Sequence, residues 1–166
     1  NGRITLKLRE IFFGIFCILI LIGSIALSHP AEADSFLPPS SVPGVINPDV
    51  NQANIEKTIC VSGWTKTIRP PASYTTKLKI QQMKEFHLKG VPSDFEEDHL
   101  ISLELGGNPT DPKNLWPEPW TGKYNAHVKD ACENKLHKMV CKGDISLKAA
   151  QHYISHDWIK SCSALK

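Results

Sequence analysis

The stretch EEDHLISLELGGNPTDPKNLWPEP, residues 96–119, constrains the fold of this chain more than any other. Its alternation of His99, Ile101, Leu103 and Leu105 against Leu100, Ser102 and Glu104 reads as a strand partly buried on both faces. Gly106-Gly107-Asn108-Pro109 breaks that strand. Asn114-Leu115-Trp116 is short and extended, because Pro117 and Pro119 bracket the residues after it. The rest of the core falls to helices. Tyr74 to Leu88 carries Leu78, Ile80, Met83 and Phe86 and is stopped by Gly90 and Pro92. Gly122 to Cys141 carries Val128, Cys132, Leu136, Met139 and Val140, and Gly143 closes it. Ser146 caps a last helix whose apolar stripe is Leu147, Ala150, Ile154 and Trp158. The order is helix, strand, turn, strand, helix, helix, which is an α+β domain.

The N-terminal residues have a different character. Arg3, Lys7 and Arg9 form a positive region before the uncharged apolar run Ile11 to Leu27, and Ala31-Glu32-Ala33 is an A-x-A cleavage site. Residues 1–33 therefore read as a signal peptide, with a membrane anchor as the alternative; Pro30 and the small residues before A-x-A favour cleavage. The expected product starts at Asp34, is secreted or periplasmic, and has no stable membrane association. Residues 34–56, rich in Pro, Ser, Asn and Val without a sustained period, read as a flexible leader, and 57–166 as the folded domain.

Export decides how the cysteines are read. Cys60, Cys132, Cys141 and Cys162 lie beyond the cleavage site, and an even number in an oxidising compartment predicts up to two disulfides, with connectivity open. A zinc site has less support, since no C-x-x-C pair exists. After residue 33 the chain holds 16 basic and 15 acidic residues. That balance excludes a protein that coats nucleic acid by bulk charge. The one basic concentration is Lys66, Arg69, Lys77, Lys79 and Lys84 with Trp64 and Tyr74 interleaved; it reads as a solvated helix face or as a local phosphate contact surface.

An aspartate beside a histidine, ahead of a tight turn, has the elements of phosphodiester hydrolysis: a base for water and oxygen ligands for a hard cation. Asp98 and His99 are adjacent, so on a regular strand they point to opposite faces. They can share a site only if the strand ends there or another element wraps over its edge.

Asp98-His99, Gly106-Gly107 and Asn114-Leu115-x-Pro117, in that order and spacing, resemble the HNH endonucleases of the ββα-metal fold. The likeness covers residues 96 to about 137, and the surrounding sequence resembles small exported bacterial proteins related to that family. It implies a small ββα-metal core with flanking helices, stapled here by disulfides. It also implies an endonuclease that hydrolyses DNA or RNA with a divalent cation, magnesium by preference. His99 would be the general base, Asn114 would hold the imidazole across the loop, and Asp98 would be a metal ligand.

The chain departs from the family on the helix, where Lys123 stands at the position of the usual His or Asn ligand. His127 and Asn125 are the nearby alternatives. They diverge by about 200° on a helix and cannot both face one metal; His127 is preferred because an imidazole reaches further than a carboxamide. Glu96 and Glu97 read as a solvated face or an edge guard. His29, His87, His137, His152 and His156 lie outside the motif and read as surface or packing residues. The competing functional class is an exported, disulfide-stapled binding or structural domain that keeps the fold without a working metal site.

Overall fold

The structure is a computed structural model, and it describes residues 37–165. The signal-peptide reading of residues 1–33 therefore lies outside the described residues. The domain is α+β. Helices α1 (Trp64–Ile68) and α2 (Ala72–Glu85) precede a two-stranded antiparallel sheet of β1 (Phe95–His99) and β2 (Leu115–Pro119). Helices α3 (Ala126–Lys142) and α4 (Leu147–Ala164) come after it. Asp98 lies opposite Trp116, and His99 opposite Leu115.

Local chemistry sets the helix ends. Helix α2 starts directly after Pro71 and stops five residues before the expected breaker Gly90, because His87 takes a left-handed φ of 54°. The Leu88 amide then donates to Met83 and the His87 amide to Lys84, which closes the last turn. Helix α3 begins at Ala126 rather than Gly122, because the Asn125 side chain accepts from the Val128 amide at 3.2 Å. Gly143, at φ 81°, ends it as expected. Ser146 caps α4 through the Ala149 amide, and the backbone kinks within α4 at Asp157.

The main core joins Cys132, Leu136 and Val140 of α3 to Leu147, Ala150, Ile154 and Trp158 of α4, with Ile101 and Leu105 between them. The expected stripe of α4 is thus the buried one. On α3 the expectation needs correcting: Val128 is exposed, and the buried face runs through Ala126, Lys129, Cys132, Glu133, Leu136 and Val140. Two disulfides, Cys60–Cys141 and Cys132–Cys162, tie the start of the domain to α3 and α3 to α4.

Two further expectations meet a different structure. Residues 37–56, read as leader, pack against the domain: Val42, Val50 and Ile55 are buried. The Gly44 amide donates to Lys113, the Asn47 amide to Gly106, and the Asn108 amide to Val45. The strand expected over residues 99–105 stops at His99, and Leu103–Leu105 is a 3-10 turn. The apolar residues are buried as expected, but Ile101 meets a side chain where a neighbouring strand would be.

Candidate functional site

That side chain is Asn114, which is fully buried. Its Oδ1 accepts from the Ile101 amide at 3.0 Å and from the Val45 amide at 3.2 Å, while Nδ2 donates to the carbonyls of Ile101 at 3.0 Å and Asn108 at 2.9 Å. One carboxamide thus occupies both backbone groups of Ile101 and pins three chain segments. The glycines before it are required for different reasons. Gly106 adopts φ +73°, and a Cβ on Gly107 would fall 1.7 Å from the Ile101 carbonyl oxygen. Asn108 Oδ1 accepts from the Thr110 and Asp111 amides and fixes the turn that presents Pro109. Asn114 therefore holds the loop and not, as the family resemblance implied, the imidazole. Asn114→Ala is expected to lose about 2–4 kcal/mol, because it strands buried backbone groups at Ile101 and Asn108; urea unfolding checks this.

His99 ends β1 and is 3% exposed. Its Nε2 lies 3.0 Å from the Pro109 carbonyl, which can only accept, so Nε2 carries the proton and Nδ1 the lone pair. Burial pushes the imidazole below its ordinary pKa, outweighing the opposing pull of the Pro109 carbonyl and Asp98. His99 is neutral at neutral pH, with a base nitrogen set by the loop.

Asp98 turns away from that loop towards α3. The ammonium of Lys129, wholly buried, donates to Asp98 Oδ2 at 2.5 Å, to the His99 carbonyl at 2.8 Å and to Glu133 Oε1, with Glu118 Oε2 at 4.0 Å. Burial alone would raise the Asp98 pKa, but Lys129 overcomes it and holds the carboxyl below its usual range. Burial pushes Glu118 up to about 10 and Glu133 well above the usual carboxylate value. Neither Glu118 oxygen has a hydrogen-bond partner as a carboxylate. The negative charge of Asp98 adds to burial in favouring the protonated form of Glu118. One ammonium thus faces one carboxylate held ionised and two acids held towards the neutral form.

Glu96 and Glu97, expected as a solvated face or an edge guard, are half-buried, and both Glu97 oxygens lack hydrogen-bond partners. Burial raises Glu97 from 4.5 to about 8, against the pull of Lys79. A carboxyl raised on folding gives stability that is complete below its unfolded pKa and is lost as pH rises through the folded one. The thermal unfolding temperature should therefore fall between pH 5 and pH 9 more steeply in the wild type than in Glu97→Gln.

The expected metal ligands do not fit a divalent cation as they stand. Asp98 Oδ2 is taken by a buried ammonium, and a dication beside that ammonium would be repelled. His127 is exposed on the first turn of α3 and lies against Trp120, ring centroids 5.1 Å apart. Asn125 is the helix cap. Among the described residues, the group of three donor side chains able to hold a metal ion is instead Cys60, His137 and Cys141, whose ligand atoms lie within 4.8 Å of one another. The metal is not identified by this geometry, and the two sulfurs ligate as free thiolates, not as the disulfide.

Sequence reasoning missed Lys129, Glu133 and His137. The signal for the first two was a Lys and a Glu four residues apart in register with Cys132 and Leu136. His137 and Cys141 share the same spacing, which puts both on one helix face. The chain matches no protein-family model, no curated protein and no solved structure. The two disulfides are compatible with an extracellular location, and no helix of the described residues is long and apolar enough to cross a membrane.

Proposed function

We propose that this is a secreted or periplasmic endonuclease resembling the HNH enzymes, with a ββα core formed by β1, β2 and α3. It hydrolyses phosphodiester bonds in nucleic acid with His99 as general base. The observation that carries this reading is the Nε2–Pro109 hydrogen bond at 3.0 Å, which leaves Nδ1 as the proton acceptor. Nδ1 takes a proton from water as its oxygen bonds to phosphorus and the bond from phosphorus to the leaving sugar oxygen breaks. That oxygen takes a proton from solvent, and the carbonyl-anchored Nε2–H keeps the imidazolium oriented. Asn114 acts through the loop as a positioning residue. Arg69 is exposed and lies within electrostatic reach of His99, Glu96 and Asp130, which makes it the cation this reading assigns to the phosphate. Lys129 is too deeply buried to touch substrate; it fixes Asp98 and the His99 carbonyl.

A second reading, an exported binding or structural domain without catalysis, is favoured by the low exposure of His99 and by the engagement of Asp98 with Lys129. Incubation of the oxidised protein with supercoiled plasmid and with single-stranded RNA separates the two. Cleavage of either supports the nuclease, and intact substrates in magnesium, manganese and chelator alike support the binding domain. Cleavage that needs magnesium would require Asp98 to leave Lys129 for the metal.

A further inference from the structure

Cys60 lies just after the 3-10 turn Gln52–Lys57, while His137 and Cys141 lie one turn apart on α3. All three are partly exposed, so solvent reaches them. His137 Nε2 is 3.3 Å from Cys141 Sγ, close to the separation of two ligands on one tetrahedral zinc ion. The Cα atoms of the two cysteines are 5.6 Å apart, which suits a shared metal as well as a disulfide. On its other side, His137 Nδ1 lies 3.6 Å from Glu104 Oε2. A carboxylate on the far nitrogen is the usual outer partner of a metal-bound histidine, fixing the tautomer and ring orientation.

We infer that the Cys60–Cys141 disulfide and His137 form a redox-gated site for one thiophilic divalent cation of the zinc class. In the oxidised protein the sulfurs are bonded to each other, and His137 Nε2–H donates to the Ile59 carbonyl at 2.8 Å. A dithiol supplies two electrons and two protons to open the bond, leaving as its own disulfide. The cation then displaces the two thiol protons, and both sulfurs bind as thiolates. The imidazole proton moves to Nδ1, facing Glu104, and Nε2 becomes the third ligand. Thiolate and imidazole donors select zinc over magnesium, so this site is distinct in chemistry from the one the family resemblance implied. Glu104 lies in the 3-10 turn between His99 and Asn114, which joins the site to the loop that sets the base.

The test is cobalt(II) and zinc titration of the protein reduced with a phosphine, read by thiolate-to-cobalt absorption and by circular dichroism. One equivalent should bind to the folded, reduced wild type and to a Cys132→Ala/Cys162→Ala variant, which removes the other disulfide. The oxidised wild type should bind none, and Glu104→Gln should bind about 10–100-fold more weakly. No uptake by the reduced protein would overturn the inference. So would uptake that survives Cys60→Ser/Cys141→Ser, or uptake only by an unfolded chain.

Discussion

Lys129→Ala is expected to cost about 3–5 kcal/mol of stability. The substitution removes the cation from a site where Asp98, Glu133 and Glu118 converge and where the Lys129 ammonium is wholly buried. Burial alone would lower the lysine pKa, but Asp98, Glu133 and Glu118 outweigh it and hold the ammonium charged. Without Lys129, Asp98 must ionise unpaired in a dry pocket or take up a proton, and the His99 carbonyl loses its donor. Lys129→Met with Asp98→Asn and Glu133→Gln should recover much of the loss, because it removes the stranded Asp98 charge, and the Glu133 acid left without its donor, together with their partner. Denaturant midpoints of the single and triple variants measure this; equal losses in both would mean that Lys129 matters for packing and not for charge.

His99 substitutions are expected to have the largest effect on activity. Loss of a general base lowers turnover by about 10²–10⁴-fold. Burial dictates the choice of substitution. A base at an exposed strand end would tolerate alanine, but His99 is 3% exposed and its truncation would leave both a void and an unpaired Pro109 carbonyl. His99→Gln keeps a donor for that carbonyl while lacking a basic nitrogen, so it should fold and fail to cleave. His99→Ala should fail in both respects.

How far the sequence discloses this arrangement depends on the kind of interaction involved. Features governed by local backbone chemistry were legible: the Ser146 cap, the Gly143 stop, the Gly106-Gly107 turn and the α4 stripe all occupy their expected places. The even cysteine count likewise anticipated two disulfides, though not their pairing. The hidden features depend on pairing across long separations. Lys129 and Glu133 look like ordinary surface charges until Asp98, 31 residues before Lys129, is brought against them. Residues 44–47 carry no periodic pattern, because their order comes from backbone bonds to the 106–114 loop and from the Asn114 side chain. Ile101 alternates like a strand residue, yet a carboxamide takes the hydrogen bonds a strand would have made.

The Asp98-His99 pair shows the same division. Sharing one site required the strand to end there or another element to wrap over its edge; β1 does stop at His99, but the His99 ring meets the Pro109 loop while Asp98 meets α3, so the two side chains face different elements. The acidic surroundings suggested a metal, and in this structure the cation beside Asp98 is a lysine.

The rate of phosphodiester cleavage against pH, for wild type and His99→Gln, tests the role of His99 most directly. Burial holds the His99 pKa below the ordinary 6.5. The wild-type rate should therefore rise from acid pH to a plateau with an apparent pKa below that value, while His99→Gln shows neither rise nor plateau. A wild type that cleaves nothing at any pH, or a His99→Gln variant that follows the wild-type curve, would contradict a catalytic base at this position.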